Sequence, residues 1–200
     1  MTEPRIPALV PSDWPASMRE ALAVLLPENP RHPRLRVDGR PKALNALGTL
    51  AHHPDLAKAY HTFNGHIIYN TTLSPRQREL LILRVAAVRG SEYEWIQHVV
   101  LAADVGISAE EVARVVDGPD AAGWTPFDAA LLRAVDELVA DALVAEDTWA
   151  TLAGELDRQQ LMDVVFTVGS YDLLAMAFRT FGVELDDDLQ AWASEPGPTP

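Results

Sequence analysis

Apolar residues recur every three to four positions along most of this chain. Leu44, Leu47 and Leu50 begin one stripe, and Leu56, Ala59, Tyr60, Phe63 and Ile67 continue it at the period of a half-buried helix. A strong start signal follows. Ser74 suits an N-cap, Pro75 suits the first turn, and Gln77 stands where a capping box needs it. The helix it opens runs through Leu80, Leu81, Leu83 and Val88 to Gly90. A second runs from about Ser91 to Val105 and stops at Gly106. Ser108 with Glu111 opens a short helix to about Val116, and Thr125-Pro126 with Asp128 opens a longer one through Val139. Asp147 is expected to cap a helix holding Trp149 and Leu152, and a last long helix is expected from about Arg158 to Phe181. Strand-type alternation is absent, so the fold class is all-α, a bundle of about eight helices with short connections.

The ends are different. Seven of the fifteen prolines fall in the first 40 residues, which leaves room for one short helix over 16–26. Residues 1–40 read as an arm packed on the body or on a neighbouring subunit, 41–190 as the helical domain, and 191–200 as a disordered tail. A faint internal echo sets Arg76-Gln77 and Gly90-Ser91 against Arg158-Gln159 and Gly169-Ser170, with unequal spacing.

Composition narrows the function. A net charge of −13 with no Lys/Arg cluster excludes a nucleic-acid binder of the usual kind. No run approaches the roughly 20 apolar residues of a membrane span, and the N-terminus lacks the basic-then-apolar order of a secretory signal; no membrane is expected and a cytoplasmic setting is. The chain has no cysteine. Disulfides, thiolate nucleophiles and dithiol redox cycling are therefore ruled out together. His52, His53, His61 and His66 are close in sequence but fall on faces read as polar, and His61 and His66 are expected to be exposed. Neither a metal nor a cofactor is expected.

The candidate chemistry lies on two consecutive helices. Glu94 and His98 are four residues apart and share a helix face, with Ser91 and Trp95 on or beside it. Gly90 lets the preceding helix fold back and carry Glu79 toward His98. Two carboxyls and an imidazole among apolar walls suit proton transfer, because burial raises a carboxyl pKa toward neutrality. The same spacing also occurs in helices where such a pair is only a structural hydrogen bond. Arg84 and Arg89 are candidates to hold a substrate carboxylate through their planar forks, or to pair with acidic side chains of the chain itself. Trp95 is a core wall or a pocket lid. Tyr171, after Gly169 in the last helix, is a core residue or a pocket hydroxyl. Tyr60 and Phe63 read as core.

The stretch Leu73-Ser-Pro-Arg-Gln-Arg-Glu79 through Ser91-Glu-Tyr-Glu94-Trp95-Ile-Gln-His98 to Gly106 resembles the carboxymuconolactone decarboxylase family, which includes alkylhydroperoxidase D-like proteins. The resemblance runs from about residue 43 to 189. Peroxidase-type members carry a glutamate, a Cys-x-x-Cys pair, and a histidine four residues after the second cysteine. Glu79 and His98 match the glutamate and the histidine, which the resemblance makes a proton relay. Ser91 and Glu94 occupy the two cysteine positions. The resemblance thus implies the family's all-helical fold and ring-like homo-oligomers (dimer, trimer or hexamer), in a branch that cannot run a dithiol peroxidase cycle.

Two functions remain open. The first is a cofactor-free lyase or isomerase for a small carboxylated lactone or keto acid, or another enolisable lactone or ketone. Its catalytic residues would be His98, Glu94 and Glu79, and its substrate contacts Arg84, Arg89, Trp95, Ser91 and Tyr171. The second is a non-catalytic oligomer that binds a small molecule. Geometry separates them: catalysis needs a carboxylate within hydrogen-bond reach of His98.

Overall fold

The computed structural model describes residues 3–33, 40 and 42–193 of the 200-residue chain. Ten α-helices and no strand occur among the described residues. Three of them are short: α1 (Met18–Ala23), α2 (Leu44–Leu50) and α10 (Asp187–Ala193). The tail expected to be disordered lies, from residue 194 on, outside the described residues. The helices fall into two compact units, drawn from within Met1–Thr71 plus Ala177–Ser194 and from within Thr72–Met176.

In the first unit the proline-rich arm is built into the body. Leu9 donates its backbone N–H to the Gly48 carbonyl, and a Cβ on Gly48 would lie 2.3 Å from the Leu9 carbonyl oxygen. Only glycine allows that approach. Met18 and Ala21 of α1 join Ala51 and Ala57 in a small core flanked by Leu9, Trp14, Leu22, Leu47 and Leu50. The face of α3 (Pro54–Gly65) that packs inward is not the expected one. Ala57, His61, Asn64 and Gly65 are buried, Tyr60 and Phe63 are half-buried, and Leu56 is 55% exposed. α1 packs closely on α3, so small residues line the contact and large apolar side chains are displaced to its edges. His61 is corrected with them. It is 3% exposed, its Nδ1 meets the Ala21 carbonyl at 2.9 Å, and burial lowers its pKa more than that hydrogen bond raises it. His66 is exposed, as expected.

The second unit holds the candidate chemistry. Its central helix, α4 (Pro75–Arg89), is capped by reciprocal bonds between Ser74 and Gln77 and ends at Gly90 with a left-handed φ of 57°. It packs against α5 (Glu92–Ala102), α6 (Ala109–Asp117) and α7 (Pro126–Asp141). Eight of its residues, from Arg78 to Ala86, are buried, which is why its apolar pattern has no clear polar face. Leu80, Leu83 and Ala86 form one core with Trp95, Ala102, Ile107, Val112, Val115 and Leu132. Ser108 and Thr125 cap α6 and α7 as the sequence indicates. α8 (Glu146–Glu155) starts two residues earlier than Asp147 implied, with Ala145 at the N-cap. Glu137 of α7 supplies the missing cap, accepting from the Ala145 N–H and the Thr148 hydroxyl at 2.8 Å each.

The last long helix, α9 (Arg158–Phe181), begins in this unit, where Asp163 accepts from the Thr72 N–H and hydroxyl at 2.6 Å each. It is long and apolar enough to cross a membrane by length and composition, a property no single uninterrupted run in the sequence suggested. Just over half of that stretch, 56%, is buried inside the protein, as in a core helix. The internal echo does not survive as structure. Gly90 ends α4, whereas Gly169 lies inside continuous α9.

Candidate acid–base site

The Gly90 turn sends α5 back along α4 and brings Glu79 to His98. Glu79 Oε2 accepts from His98 Nδ1 at 2.6 Å, so Glu79 is the carboxylate that partners the imidazole. The other oxygen of Glu79 accepts from Arg78 Nε at 3.1 Å and Nη2 at 2.9 Å. All three side chains are buried. Burial alone would raise the Glu79 pKa, but the charges and hydrogen bonds of His98 and Arg78 outweigh it and hold the carboxyl below its ordinary value. Glu79 is thus an anion fixed between two donors, and it leaves Nε2 as the ring nitrogen available for other chemistry. The edge of the His98 ring meets Tyr171 of α9, with centroids 5.1 Å apart and planes at 87°.

Glu94 is held differently. It sits one turn before His98 on the same face of α5 and is 2% exposed. Neither carboxyl oxygen has a hydrogen-bond partner among the described residues. Burial raises its pKa to about 8; nearby Ser91 pulls the other way, and Asp172 adds the smallest push, upward. The Ser91 hydroxyl lies beside Glu94 without the alignment of a hydrogen bond and is itself unpartnered, at an N-cap position where it caps nothing. Thr167 Oγ1 on α9 and Gln97 Oε1 on α5 are also buried without partners. Glu94 is therefore a carboxylic acid at neutral pH, able to donate a proton or a hydrogen bond.

The remaining sequence candidates go elsewhere. Arg84 pairs bidentately with Asp136, Nε to Oδ1 at 2.7 Å and Nη2 to Oδ2 at 2.8 Å, and also donates to the Val115 and Val116 carbonyls. Arg89 forms a two-point pair with Asp172, one bond very short and the other 3.0 Å, and reaches the Val139 carbonyl. Both guanidinium forks are thus paired with the chain's own carboxylates. Trp95 is buried in the core beside α4 and α6. Among the described residues no group of three or more ligating side chains could hold a metal. Sequence reasoning gave no role to Arg78, the second anchor of Glu79, although it is the adjacent residue. Nor did it single out Thr167 or Asp172, because nothing in the spacing of α9 relative to α5 reveals which faces meet.

Residues 54–137 match the model of the carboxymuconolactone decarboxylase family. Over that span the chain is similar to the carboxymuconolactone decarboxylase family. The span includes Arg78, Glu79, Ser91, Glu94 and His98 and stops before α9, so it is shorter than the resemblance read from the sequence. No curated protein sequence matches the chain. Among solved structures, an uncharacterised peroxidase-related protein from Ralstonia eutropha with an alkylhydroperoxidase AhpD core superposes at a TM-score of 0.64 and 18% identity, covering 80% of this chain and 94% of that one. The debrominase Bmp8, as a cysteine-to-alanine variant in complex with 2,3,4-tribromopyrrole, gives 0.70 at 13% identity, covering 96% and 97%. A peroxidase-related protein from a Silicibacter species gives 0.68 at 12% identity, covering 94% and 97%. At such identities the structures establish a shared all-α, AhpD-like fold. This chain carries that fold with no cysteine.

Proposed function

We propose that this protein is a cofactor-free acid–base enzyme, a lyase or isomerase acting on a small enolisable carbonyl compound such as a carboxylated lactone or keto acid. One observation carries the reading: a buried Glu94, protonated at neutral pH and with both oxygens unpartnered, sits one turn from an imidazole that Glu79 and Arg78 hold in place. Glu94 would donate its hydrogen bond to the carbonyl oxygen as enolate charge develops there. His98 Nε2 would move the proton at carbon. In decarboxylation the bond to the carboxylate breaks, its electron pair enters the enolate, carbon dioxide leaves, and the imidazolium protonates carbon. In isomerisation the imidazole takes a proton from one carbon and returns it to another. Because Asp136 and Asp172 pair with Arg84 and Arg89, a substrate with at most one carboxylate suits the described groups better than a dianionic acid. The debrominase, a relative by fold, binds a small halogenated ring in its own variant, which is consistent with a small cyclic substrate here.

The test is a panel of lactones, ketones and keto acids incubated in D2O, followed by NMR for deuterium uptake and for loss of carbon dioxide. Exchange or decarboxylation that disappears in His98→Ala supports the reading. Compounds that raise the melting temperature without any exchange would favour the second reading, a non-catalytic small-molecule-binding protein of this fold. Neither exchange nor a shift with any compound would remove the proposed substrate class.

A further inference from the structure

Thr167 of α9 holds a buried hydroxyl that its own helix could have satisfied. A threonine inside a helix can turn its hydroxyl back to the carbonyl four residues earlier. Thr49, Thr62 and Thr151 do so, donating to the Asn45, Lys58 and Asp147 carbonyls at 2.9, 2.8 and 2.9 Å. Thr167 is 0% exposed, where an unpaired hydroxyl is costly. Yet its Oγ1 makes no such bond and has no other partner among the described residues. Tyr171, whose ring meets the edge of His98, stands one turn further along α9, so Thr167 shares the face that Tyr171 presents. On α5 and its N-cap, Ser91, Glu94, Gln97 and His98 fall within an arc of about 120°. Two helix faces that meet at His98 and Tyr171 thus carry a hydroxyl able to donate and, at Glu94 and Gln97, oxygens able to accept. These groups do not bond one another.

We propose that Thr167 is a substrate-contact residue of this site, its hydroxyl bonding an oxygen substituent that the substrate carries in addition to the carbonyl group engaged by Glu94. The inference rests on the acid–base reading and narrows its substrate class to a hydroxylated or otherwise oxygen-substituted lactone or ketone. A hydroxyl without a partner in the free protein gains a bond when such a ligand arrives and gives up none. A ligand lacking the second oxygen leaves the hydroxyl unpaired, and a site with a buried polar group left unpaired discriminates against that ligand. Packing alone gives no reason for the hydroxyl. Valine has the same branched shape without it, and the neighbouring buried positions Val164 and Val168 already carry valine.

The test compares α-hydroxy-γ-butyrolactone with γ-butyrolactone, two small lactones that differ only in the added oxygen. Deuterium exchange at the α carbon is followed by NMR in D2O, each rate divided by its rate in buffer, and binding is followed by saturation-transfer NMR. The wild type should favour the hydroxylactone by at least about 10-fold, the worth of one hydrogen bond. Thr167→Val should reduce that preference to within about twofold of unity. It should also raise the melting temperature of the free protein by at least about 2 °C, because it removes an unpaired buried hydroxyl. Thr167→Ser should do the reverse, keeping the preference and melting lower, since it keeps the hydroxyl and deletes a buried methyl. A lower melting temperature in Thr167→Val overturns the proposal, because the hydroxyl then has a partner inside the folded chain. A preference that survives in Thr167→Val, or equal exchange of both lactones by the wild type, overturns it and leaves the acid–base reading standing. A Thr167-dependent preference in binding without any exchange supports the contact and counts against catalysis. Neither binding nor exchange of either lactone by the wild type overturns the proposal, and the wider panel then decides the acid–base reading.

Discussion

Replacing Glu94 by glutamine should change how the stability of this protein depends on pH. In the unfolded chain the Glu94 carboxyl ionises near its ordinary 4.5, and in the folded protein burial delays this to about 8. Below pH 4.5 both states carry the proton and the group contributes nothing that varies with pH. Between 4.5 and 8 the unfolded chain releases the proton and the folded protein keeps it, so each rise in pH favours unfolding. Above 8 both are ionised and the loss is complete. At about 1.4 kcal/mol per pH unit, this one side chain costs on the order of 4–5 kcal/mol across the window, a large part of a domain's usual stability. Glutamine has nearly the same shape and cannot ionise. Urea unfolding of wild-type and Glu94→Gln protein at pH 5, 6, 7 and 8 isolates the effect, since every other titrating group is common to both. The variant should match the wild type to within about 1 kcal/mol at pH 5 and exceed it by several kcal/mol at pH 8. Two parallel stability curves would show that Glu94 ionises at the same pH folded and unfolded, and its role as a neutral acid would fall with them.

His98→Ala should lower kcat on any substrate that is turned over by about 10²–10⁴ while leaving the circular dichroism spectrum unchanged, the size expected for losing a general acid or base; near wild-type kcat in a folded variant would remove His98 from the mechanism. Glu79→Gln should be the more damaging change to stability, by about 3–5 kcal/mol in urea unfolding at pH 7, because it removes the buried negative charge that pairs with the Arg78 guanidinium; a loss under about 1 kcal/mol would mean that this buried pair carries no net stability. Because the Glu79 pKa is lowered on folding, its contribution is present above pH 4.5 and lost as pH falls through the folded value, so the gap between wild type and Glu79→Gln should narrow at pH 3. Finally, the pure chain should not reduce organic hydroperoxides with any thiol donor, since it has no sulfur that can form a disulfide; peroxide consumption well above buffer in a coupled assay is the contrary result.

The fold was legible wherever the signal was local. Ser74, Ser108 and Thr125 announce their helices because a cap is a matter of three or four neighbouring residues, and each one caps in the structure. Asp147 misled because the real cap, Glu137, comes from another helix. The stripe on α3 was misread for a similar reason. Counting large apolar residues favours Leu56, whereas the tight contact with α1 selects Ala57, Gly65 and a buried His61. In the site, the approach of Glu79 to His98 follows from the Gly90 turn and the helical repeat. The fates of Arg84 and Arg89 do not, because Asp136 and Asp172 lie 52 and 83 residues away and pairing at that range depends on how helices pack. For Glu94, the spacing gives the face, but its missing partners are a property of α5 and α9 together.

A carboxyl at position 94 is a costly choice for a protein that only needs to fold. A leucine or methionine there would bury without penalty, and replacing buried charged or ionisable groups by apolar ones commonly stabilises a protein. Instead the site keeps an acid whose oxygens have no partner, next to an imidazole whose orientation is fixed by a second, fully partnered acid. The two carboxyls are driven in opposite directions by their surroundings, Glu79 held ionised by two donors and Glu94 held neutral by burial. Groups separated in this way form an acid–base pair in advance of any substrate. Ser91 and Glu94 offer a hydroxyl and a carboxylic acid, which exchange protons but cannot cycle electrons through a disulfide. The Arg78–Glu79 pair beside them fixes the orientation of the His98 imidazole. This is the physical reason to look for proton chemistry at this site: a stability cost located at one residue, next to an imidazole held in a fixed orientation.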